Sequence, residues 1–325
     1  MAAATRVLSE IGLLIYPDAQ LAAVHGLTDL FRIAGMMVAG GGAPEPPEVR
    51  VSHWQVGEDG EPACVYDSHP GPEHRLSHVI VPPSLVVPGE IRAVDASARW
   101  LAGLHAGGAT LCSVCAGAFV LGRTGLLEGR RATTHWYFAA ELAARFPDVR
   151  VDADRMVIDE GDIITAGGIL AWTDLGLTLV ERLLGPSAML ETTRFLLIDP
   201  PGREQKPFGR FVPRLDHGDG AILKVQHWLH GTHARDHALA GLAERAGLEE
   251  RTFLRRFKKA TGLRPTEYAQ AVRVAKAREE LELTRRPIDQ IAWDVGYGDP
   301  SAFRKLFARL TGLGPAEYRR RFFVG

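Results

Sequence analysis

The sequence has few cysteines and no long hydrophobic run. Three cysteines, Cys64, Cys112 and Cys115, are an odd number and too few for the disulfide framework of a small secreted scaffold. No uninterrupted apolar run reaches the roughly 18 residues that cross a bilayer. Glu10 interrupts the apolar stretch that follows Arg6, so the N-terminal residues do not read as a secretory signal. We therefore expect a cytoplasmic protein without a membrane span.

The chain also lacks a large net charge overall, but its N-terminal and C-terminal parts carry net charges of opposite sign. Residues 221–325 contain 20 basic and 12 acidic side chains, a net charge of +8, whereas the rest of the chain carries a net charge of −9. A length of 325 residues is enough for two domains with separate cores. The charge distribution predicts a basic C-terminal domain that binds nucleic acid and an acidic N-terminal domain that avoids phosphates.

A short sequence motif is repeated within the basic C-terminal region. The sequence TGLRPTEY at residues 261–268 returns as TGLGPAEY at residues 311–318, fifty positions later. Two phenylalanines upstream of each copy keep the same offset: Phe253 and Phe257 in the first, Phe303 and Phe307 in the second. Such a fixed register indicates a duplicated supersecondary unit.

Each copy predicts a helix, a glycine turn and a second, basic helix. Apolar residues at helical spacing precede Gly247 in the first copy and Gly296 in the second, and a basic amphipathic stretch follows each glycine. Glycine supplies the positive φ of a tight turn between helices. This is the layout of a helix-turn-helix. Residues 265–283 predict one long helix that joins the two units, and Pro287 ends it.

Many positions of the second copy form a recognisable signature. Residues 288–319 contain Ile-x-x-Ile-Ala, Val-Gly-Tyr, Ser-Ala-Phe and Tyr-Arg at fixed spacing. The stretch from Leu223 to Phe322 therefore resembles the AraC-type DNA-binding domain, an all-α domain in which a linker helix joins two helix-turn-helix units. That layout predicts second helices that enter successive major grooves about 34 Å apart. By position, the predicted base-reading residues are Arg251, Thr252, Arg255, Ser301, Arg304 and Lys305.

The N-terminal part predicts an α/β domain. Short apolar strands, such as residues 11–16 and 109–114, alternate with helical patterns, which is typical of a parallel sheet with helices on both faces. The sequence LCSVCAGAF at residues 111–119 runs from a strand directly into a helix. The small residues after Cys115 permit a sharp turn that presents the cysteine at a helix N-terminus, where backbone amides favour a thiolate or a bound anion.

This region resembles the ThiJ/PfpI domain of the class I glutamine amidotransferase-like superfamily, with a flavodoxin-like fold. The resemblance rests on residues 113–119, on GLLEGRRATTHW at 125–136 and on TAGG at 165–168. Together with the C-terminal resemblance it gives the architecture of GlxA-type regulators within the AraC family. We expect a sensor and dimerisation domain over residues 8–200, a linker over 201–220 and a DNA-binding domain over 221–325.

Several roles remain open for the cysteine turn. Cys115 is interpreted as a ligand contact, with a catalytic nucleophile, a redox sensor and a packed small residue as alternatives. His135 is interpreted as lining the same pocket, with ordinary packing beside Trp136 as the alternative. The resemblance places Ala23 where relatives carry an acidic residue that partners the cysteine, which disfavours hydrolysis. Cys112 lies inside the strand, which disfavours a thioredoxin-like pair. Five histidines between positions 217 and 237 show no compact metal-ligand spacing.

The predicted function is that of a sequence-specific transcription regulator, usually an activator in this family, that is not an enzyme and needs no cofactor or metal. The expected partners are double-stranded promoter DNA, a small effector such as an amino or quaternary-ammonium metabolite, a second copy in a homodimer, and RNA polymerase. The alternatives are a cysteine-dependent amidase, hydratase or glyoxalase-type enzyme and a thiol-redox-sensing regulator.

Overall fold

The chain folds into two compact units, Met1–Gln205 and Lys206–Gly325. The structure is a computed structural model that describes residues 7–39, 48–57, 59–92, 94–235 and 237–325. Each unit has its own hydrophobic core.

The N-terminal unit is built on a mostly parallel sheet, which contains seven strands among the described residues. The strands of this unit are β1 (Val7–Leu14), β2 (Glu48–Val56), β3 (Pro62–Asp67), β4 (Leu76–Val81), β5 (Thr110–Val114), β6 (Arg131–Ala132), β7 (Arg150–Val151), β8 (Val157–Asp159) and β9 (Ile163–Ala166). The sheet order is β3-β2-β1-β4-β5-β9-β8, and the short β6 and β7 pair separately. Strands β2, β1, β4, β5 and β9 are parallel to one another, as predicted, whereas the edge strands β3 and β8 pair antiparallel with β2 and β9.

Helices cover both faces of this sheet. They are α1 (Leu21–Ala39), α2 (Asp95–Ala106), α3 (Gly117–Gly122), α4 (Ala139–Arg145), α5 (Trp172–Leu184) and α6 (Pro186–Leu196). Helix α1 packs with α5 and α6, and α2 packs with α3. The connections through α1 and α2 lead in opposite directions from the centre of the sheet, so right-handed crossovers place these helices on opposite faces. The predicted flavodoxin-like α/β fold is confirmed.

Helix α1 is long and apolar enough, by length and composition, to cross a membrane. In this unit it packs in the core instead, with Ala23, Val24, Leu27, Leu30, Phe31 and Ala34 buried. Its exposed positions include the polar His25, Asp29 and Arg32 as well as the apolar Leu21 and Met36. A buried apolar stripe opposite charged residues is typical of a core helix in a globular domain.

The C-terminal unit is helical throughout its described elements. The helices are α7 (Gly220–Gly231), α8 (Leu239–Ala246), α9 (Glu250–Thr261), α10 (Pro265–Leu283), α11 (Ile288–Asp294), α12 (Pro300–Thr311) and α13 (Pro315–Phe322). One core lies between α7, α8, α9 and the first half of α10, and a second lies between the rest of α10 and α11, α12 and α13. Two helix-turn-helix units therefore share α10, whose predicted bounds match the structure.

The repeated motif ends one helix and begins the next in both units. Gly262 and Gly312, with φ of 79° and 76°, terminate α9 and α12 in the left-handed conformation that glycine adopts without strain. Pro265 and Pro315 then occupy the first turn of α10 and α13, where proline loses no hydrogen bond. The duplicated sequence motif therefore contains the glycine that ends one helix and the proline that begins the next.

Residues that follow Lys206 are ordered against the C-terminal unit. The buried guanidinium of Arg278, on α10, donates to the backbone carbonyls of Pro207 and Gly209. The ring of Phe211 meets that of Tyr268 edge to face, with 5.0 Å between centroids. The first part of the expected linker region is therefore held in place by side chains of the helical unit.

Candidate functional site

The basic residues of α9 form one exposed surface. Phe253 and Phe257 are buried in the core of the first helix-turn-helix unit, so the opposite side of the helix faces solvent. That side carries the predicted base readers Arg251 and Arg255 with three further cations and a leucine, which together line one open concavity: Arg251, Leu254, Arg255, Lys258, Lys259 and Arg264. The predicted Thr252 is half-buried beside them. Arg264, which precedes α10, was not predicted to belong to this surface.

The cations of this surface are largely uncompensated. Within the described part of the chain, no acidic side chain forms an ion pair with Arg251, Arg255 or Lys258. Arg256, on the same helix, forms a bidentate pair with Asp219, at 2.9 Å from Nε and 2.7 Å from Nη2. Clustered free cations with low-dielectric walls produce a positive potential that attracts a polyanion. The concavity is thus suited to the phosphate backbone and base edges of a duplex.

The second unit presents a similar helix with fewer free cations. On α12, Ser301, Arg304 and Lys305 are exposed, and Phe303 and Phe307 are buried on the opposite side. Arg304 is paired with Asp289 of α11. Because that pair exists in the protein alone, Arg304 must exchange a carboxylate for a DNA group if it reads bases.

A buried arginine on α10 joins the turns of the two units. The side chain of Arg273 is 6% exposed. Its Nε donates to the carbonyl of Ala234 (3.0 Å) and its Nη2 to that of Arg235 (2.9 Å), both before α8. Its Nη1 donates to the carbonyl of Gly296 (3.1 Å), the glycine of the second helix-turn-helix. Charge-assisted hydrogen bonds to these three carbonyls fix the two helix-turn-helix units relative to each other within the C-terminal unit.

The predicted sharp turn is present at Cys115. This residue has a φ of 55°, between β5 and α3, although it is not a glycine. A Cβ at Gly117 would lie 2.6 Å from the carbonyl oxygen of Val81, so only glycine fits there. The small residues after the cysteine therefore allow close approach of two backbones, as the sequence pattern indicated.

The Cys115 thiol is buried, with 2% exposure. Burial raises its pKa to about 11, against the opposing effect of the backbone amides of Ala116 and His135. Among the described residues, no carboxylate contributes to this shift. Because the thiolate is the nucleophilic form, the environment of Cys115 keeps it in its unreactive form near neutral pH. Burial also raises the pKa of Cys112, which lies inside β5.

The side chains around Cys115 lie at the carboxyl ends of neighbouring strands. The hydroxyl of Tyr16, after β1, donates to the carbonyl of Pro82, after β4 (2.7 Å). The backbone of His135 approaches Cys115, but its ring accepts a hydrogen bond from the amide of Tyr137 at Nδ1 (3.1 Å) and is half-buried. Burial lowers the pKa of His135, so its ring is neutral near pH 7. The structure thus brings His135 to Cys115 through its backbone amide.

A residue that the sequence reasoning missed organises this region. The side chain of Gln205 is 1% exposed. Its Nε2 donates to Thr133 Oγ1 (3.1 Å) and to the carbonyls of Thr134 and Arg155 (2.9 Å each). Its Oε1 accepts from the amide of Trp136 (3.1 Å). A glutamine in a proline-rich, charged stretch gives no periodic signal, so the sequence alone did not indicate this role.

Three of the five histidines between positions 217 and 237, namely His217, His230 and His237, have side-chain hydrogen bonds with other protein groups. His217 Nε2 lies 2.7 Å from Gln226 Oε1, and His230 Nε2 lies 2.8 Å from the hydroxyl of Tyr268. Across the ranges that the structure describes, no group of three or more potential ligands is placed to hold a metal ion.

Comparisons with known proteins agree with this geometry. Residues 242–321 match the model of a helix-turn-helix domain, and residues 77–182 match that of the DJ-1/PfpI family. The chain is 28% identical over 241 residues to the HTH-type transcriptional regulator CdhR of Pseudomonas aeruginosa, covering 70% of this chain and 68% of that protein. It is 29% identical over 217 residues to the HTH-type transcriptional regulator GlxA of Rhizobium meliloti, covering 66% of each.

An enzyme also shares part of the chain. Over 73 residues, the chain is 48% identical to an isonitrile hydratase of Pseudomonas putida, a match that covers 22% of this chain and 31% of the enzyme. The two regulators match about two thirds of the chain, whereas the enzyme matches a limited segment. The chain therefore combines a DJ-1/PfpI domain with an AraC-type helix-turn-helix domain, and it is similar along about two thirds of its length to proteins named as HTH-type transcriptional regulators.

Proposed function

We propose that this regulator binds promoter DNA through α9 and α12 and is controlled by a small metabolite bound beside Cys115 and His135. The observation that carries the DNA-binding part is the concavity of α9, where free cations converge around Arg251 and Arg255. Arginine pairs with the O6 and N7 atoms of guanine, and neighbouring lysines suit phosphate. Exposed Ser301, Arg304 and Lys305 supply the corresponding contacts from α12.

The DNA-binding proposal is tested with a duplex that the full-length protein selects from a random-sequence pool. Arg255→Ala should weaken binding of that duplex by about 1–3 kcal/mol, roughly 5- to 150-fold, and relax the sequence preference at one position. Lys258→Ala should weaken all duplexes similarly and reduce the slope of log K against log salt by about 0.9. Arg194→Ala, which removes an exposed cation from α6 of the acidic unit, is the matched control and should change neither. Failure to select any duplex at low salt refutes the proposal.

The effector part is supported by the turn at Cys115. The thiol is buried and its pKa is raised, so it is poorly suited to attack a substrate. The turn that carries it lies at the carboxyl ends of the strands, where open α/β sheets bind ligands. A thermal-shift screen of the full-length protein against amino and quaternary-ammonium metabolites tests this role. A ligand at about 100 times its Kd adds roughly 2.7 kcal/mol to stability. Substitution of Tyr16 by Phe, which keeps the ring and removes the hydroxyl, should alter the affinity for such a ligand if the proposed pocket is correct.

The enzyme alternative is favoured by one observation, the segment shared with isonitrile hydratase. We propose that the protein is not an enzyme, because the Cys115 thiol is protonated near neutral pH and no described carboxylate acts on it. Turnover of an isonitrile or amide that is abolished in Cys115→Ser would establish the enzyme instead. A redox sensor would show promoter output that responds to peroxide and loses that response in Cys112→Ser. We expect neither result.

The remaining partners follow from the family. We propose that the protein acts in the cytoplasm as a homodimer and that RNA polymerase is its partner at an activated promoter. Light scattering of the full-length protein measures the oligomeric state. In vitro transcription from a template that carries the selected duplex tests activation, since a repressor would reduce the transcript.

A further inference from the structure

The site around Cys115 is connected to Gln205 by hydrogen bonds that run through Thr134. The Oγ1 of Thr134 donates to the carbonyl of Cys115 (2.7 Å), and the carbonyl of Thr134 accepts from Gln205 Nε2 (2.9 Å). The amide of Trp136, on the other side of His135, donates to Gln205 Oε1. Residues 133–136 are therefore held between the cysteine turn and one glutamine side chain.

The position of Gln205 is fixed tightly from other directions. Its backbone amide donates to the carbonyl of Asp154 (2.9 Å). Its side chain lies so close to Gly167 that a Cβ there would be 2.1 Å from Gln205 Nε2. A movement of residues 133–136 therefore cannot be absorbed by a free rotation of the glutamine.

Gln205 is the last residue of the N-terminal unit, and the next anchored residue belongs to the C-terminal unit. The carbonyl of Pro207 accepts from Arg278, which is 8% exposed and also donates from Nε to the hydroxyl of Tyr318 (2.8 Å). Only Lys206 separates the two anchored residues. Consecutive Cα atoms are about 3.8 Å apart, so the Cα atoms of Gln205 and Pro207 are separated by no more than roughly 7 Å of chain.

We propose that Gln205 is a positioning residue that couples the effector site to the DNA-binding domain. A ligand that shifts residues 133–136 shifts Gln205, and Lys206 passes this displacement to the carbonyls that Arg278 holds on α10. The inference rests on the proposed function, since it assigns the route by which the effector regulates DNA binding. Coupling between two binding sites is reciprocal, so DNA binding must in turn affect residues 133–136.

Reciprocity allows a test that needs no identified effector. The full-length protein is studied by hydrogen–deuterium exchange, alone and with the duplex selected from a random-sequence pool. We expect DNA binding to change the exchange of peptides covering residues 133–137 by about fivefold or more. The variant carries Gly-Ser-Gly-Ser between Gln205 and Lys206, which leaves both anchored side chains intact. It should bind the duplex with near wild-type affinity and lose the change in exchange.

The matched control carries the same insertion between Leu215 and Asp216, both exposed and beyond the residues that Arg278 holds. It should keep the response of residues 133–137. If Gln205 only stabilises its own unit, DNA should not change the hydrogen exchange of residues 133–137 in any variant. That result overturns the inference. A response that survives the insertion after Gln205 overturns it as well. If the protein selects no duplex, the proposed DNA-binding function fails and the inference fails with it. That outcome differs from the two above, in which the protein binds DNA but Gln205 does not couple the sites.

Discussion

The buried guanidinium of Arg273 provides the sharpest prediction for the DNA-binding domain. Arg273→Met keeps much of the side-chain volume but leaves the carbonyls of Ala234, Arg235 and Gly296 without their donor. An interior acceptor that loses its partner costs about 1–3 kcal/mol. Arg235 and Gly296 are themselves exposed, so water can partly replace the lost donor there. We therefore expect a loss near the lower limit, about 3 kcal/mol in total.

This loss converts into a measurable change of melting temperature. With about 2.1 cal/mol/K per residue, the unit Lys206–Gly325 unfolds with an entropy of roughly 0.25 kcal/mol/K. A loss of 3 kcal/mol should therefore lower the Tm of this unit by about 12 °C. Scanning calorimetry of the full-length protein should show this shift in one transition and leave the transition of the N-terminal unit unchanged.

Two further variants separate the contacts of Arg273 from general damage. A Cβ at Gly296 would lie 2.9 Å from Arg273 Nη2 at a φ of +89°, so Gly296→Ala should lower the same transition. Gly298→Ala, where a Cβ meets nothing within 4 Å, is the matched control and should leave it unchanged. A Tm for Arg273→Met within about 2 °C of wild type would refute the reasoning, since it would mean that the three carbonyls need no donor.

Three more predictions concern the N-terminal unit. Gly167→Ala should displace Gln205 and destabilise this unit by about 2–4 kcal/mol, because the four hydrogen bonds of the Gln205 side chain are lost. Gly168→Ala, where a Cβ has open space, is the control and should not destabilise the unit. Equal calorimetric shifts for the two variants would contradict this prediction. Because burial raises the pKa of Cys115 to about 11, its alkylation by iodoacetamide in the folded protein should accelerate roughly tenfold per pH unit between about pH 7 and 9; a plateau below pH 8 would indicate a reactive thiolate instead. Burial, with a smaller effect from His25, lowers the pKa of His53 to about 4. Between pH 6.5 and 4 the unfolded chain therefore binds more protons at His53 than the folded protein does. The free energy of unfolding should fall by roughly 2–3 kcal/mol as the pH decreases through that range. Burial likewise lowers the pKa of His78 to about 4, so His53→Gln should reduce this dependence in urea titrations without removing it. An unchanged slope would rule out His53 as a source.

The sequence predicted most reliably what repetition and backbone chemistry determine. The two copies of one motif correctly located α10 between Pro265 and Leu283, because proline at a helix start and glycine past a helix end act locally. The positive φ of Gly247 and Gly296 was predicted for the same reason. The turn at Cys115 was predicted from the small residues that follow it.

Long-range pairing was less visible in the sequence. The edge strand β3 was missed because Pro62 and exposed residues along it give no buried-strand pattern. The pairing of Arg256 with Asp219, 37 positions away, could not be read from the basic helix alone. Gln205 and Arg278 were missed because a buried polar side chain is defined by its tertiary partners. The predicted readers Arg251, Arg255, Ser301, Arg304 and Lys305 are exposed, and their contacts with DNA remain predictions.

Major-groove protection on the selected duplex tests the central claim most directly. Dimethyl sulfate methylates guanine N7 in the major groove, and the bound full-length protein should protect two stretches centred about 10–10.5 base pairs apart, one for each second helix. Arg255→Ala should remove protection in one stretch and Lys305→Ala should weaken it in the other. A single protected stretch, or protection that neither substitution changes, would contradict the account of α9 and α12 as paired DNA-reading helices.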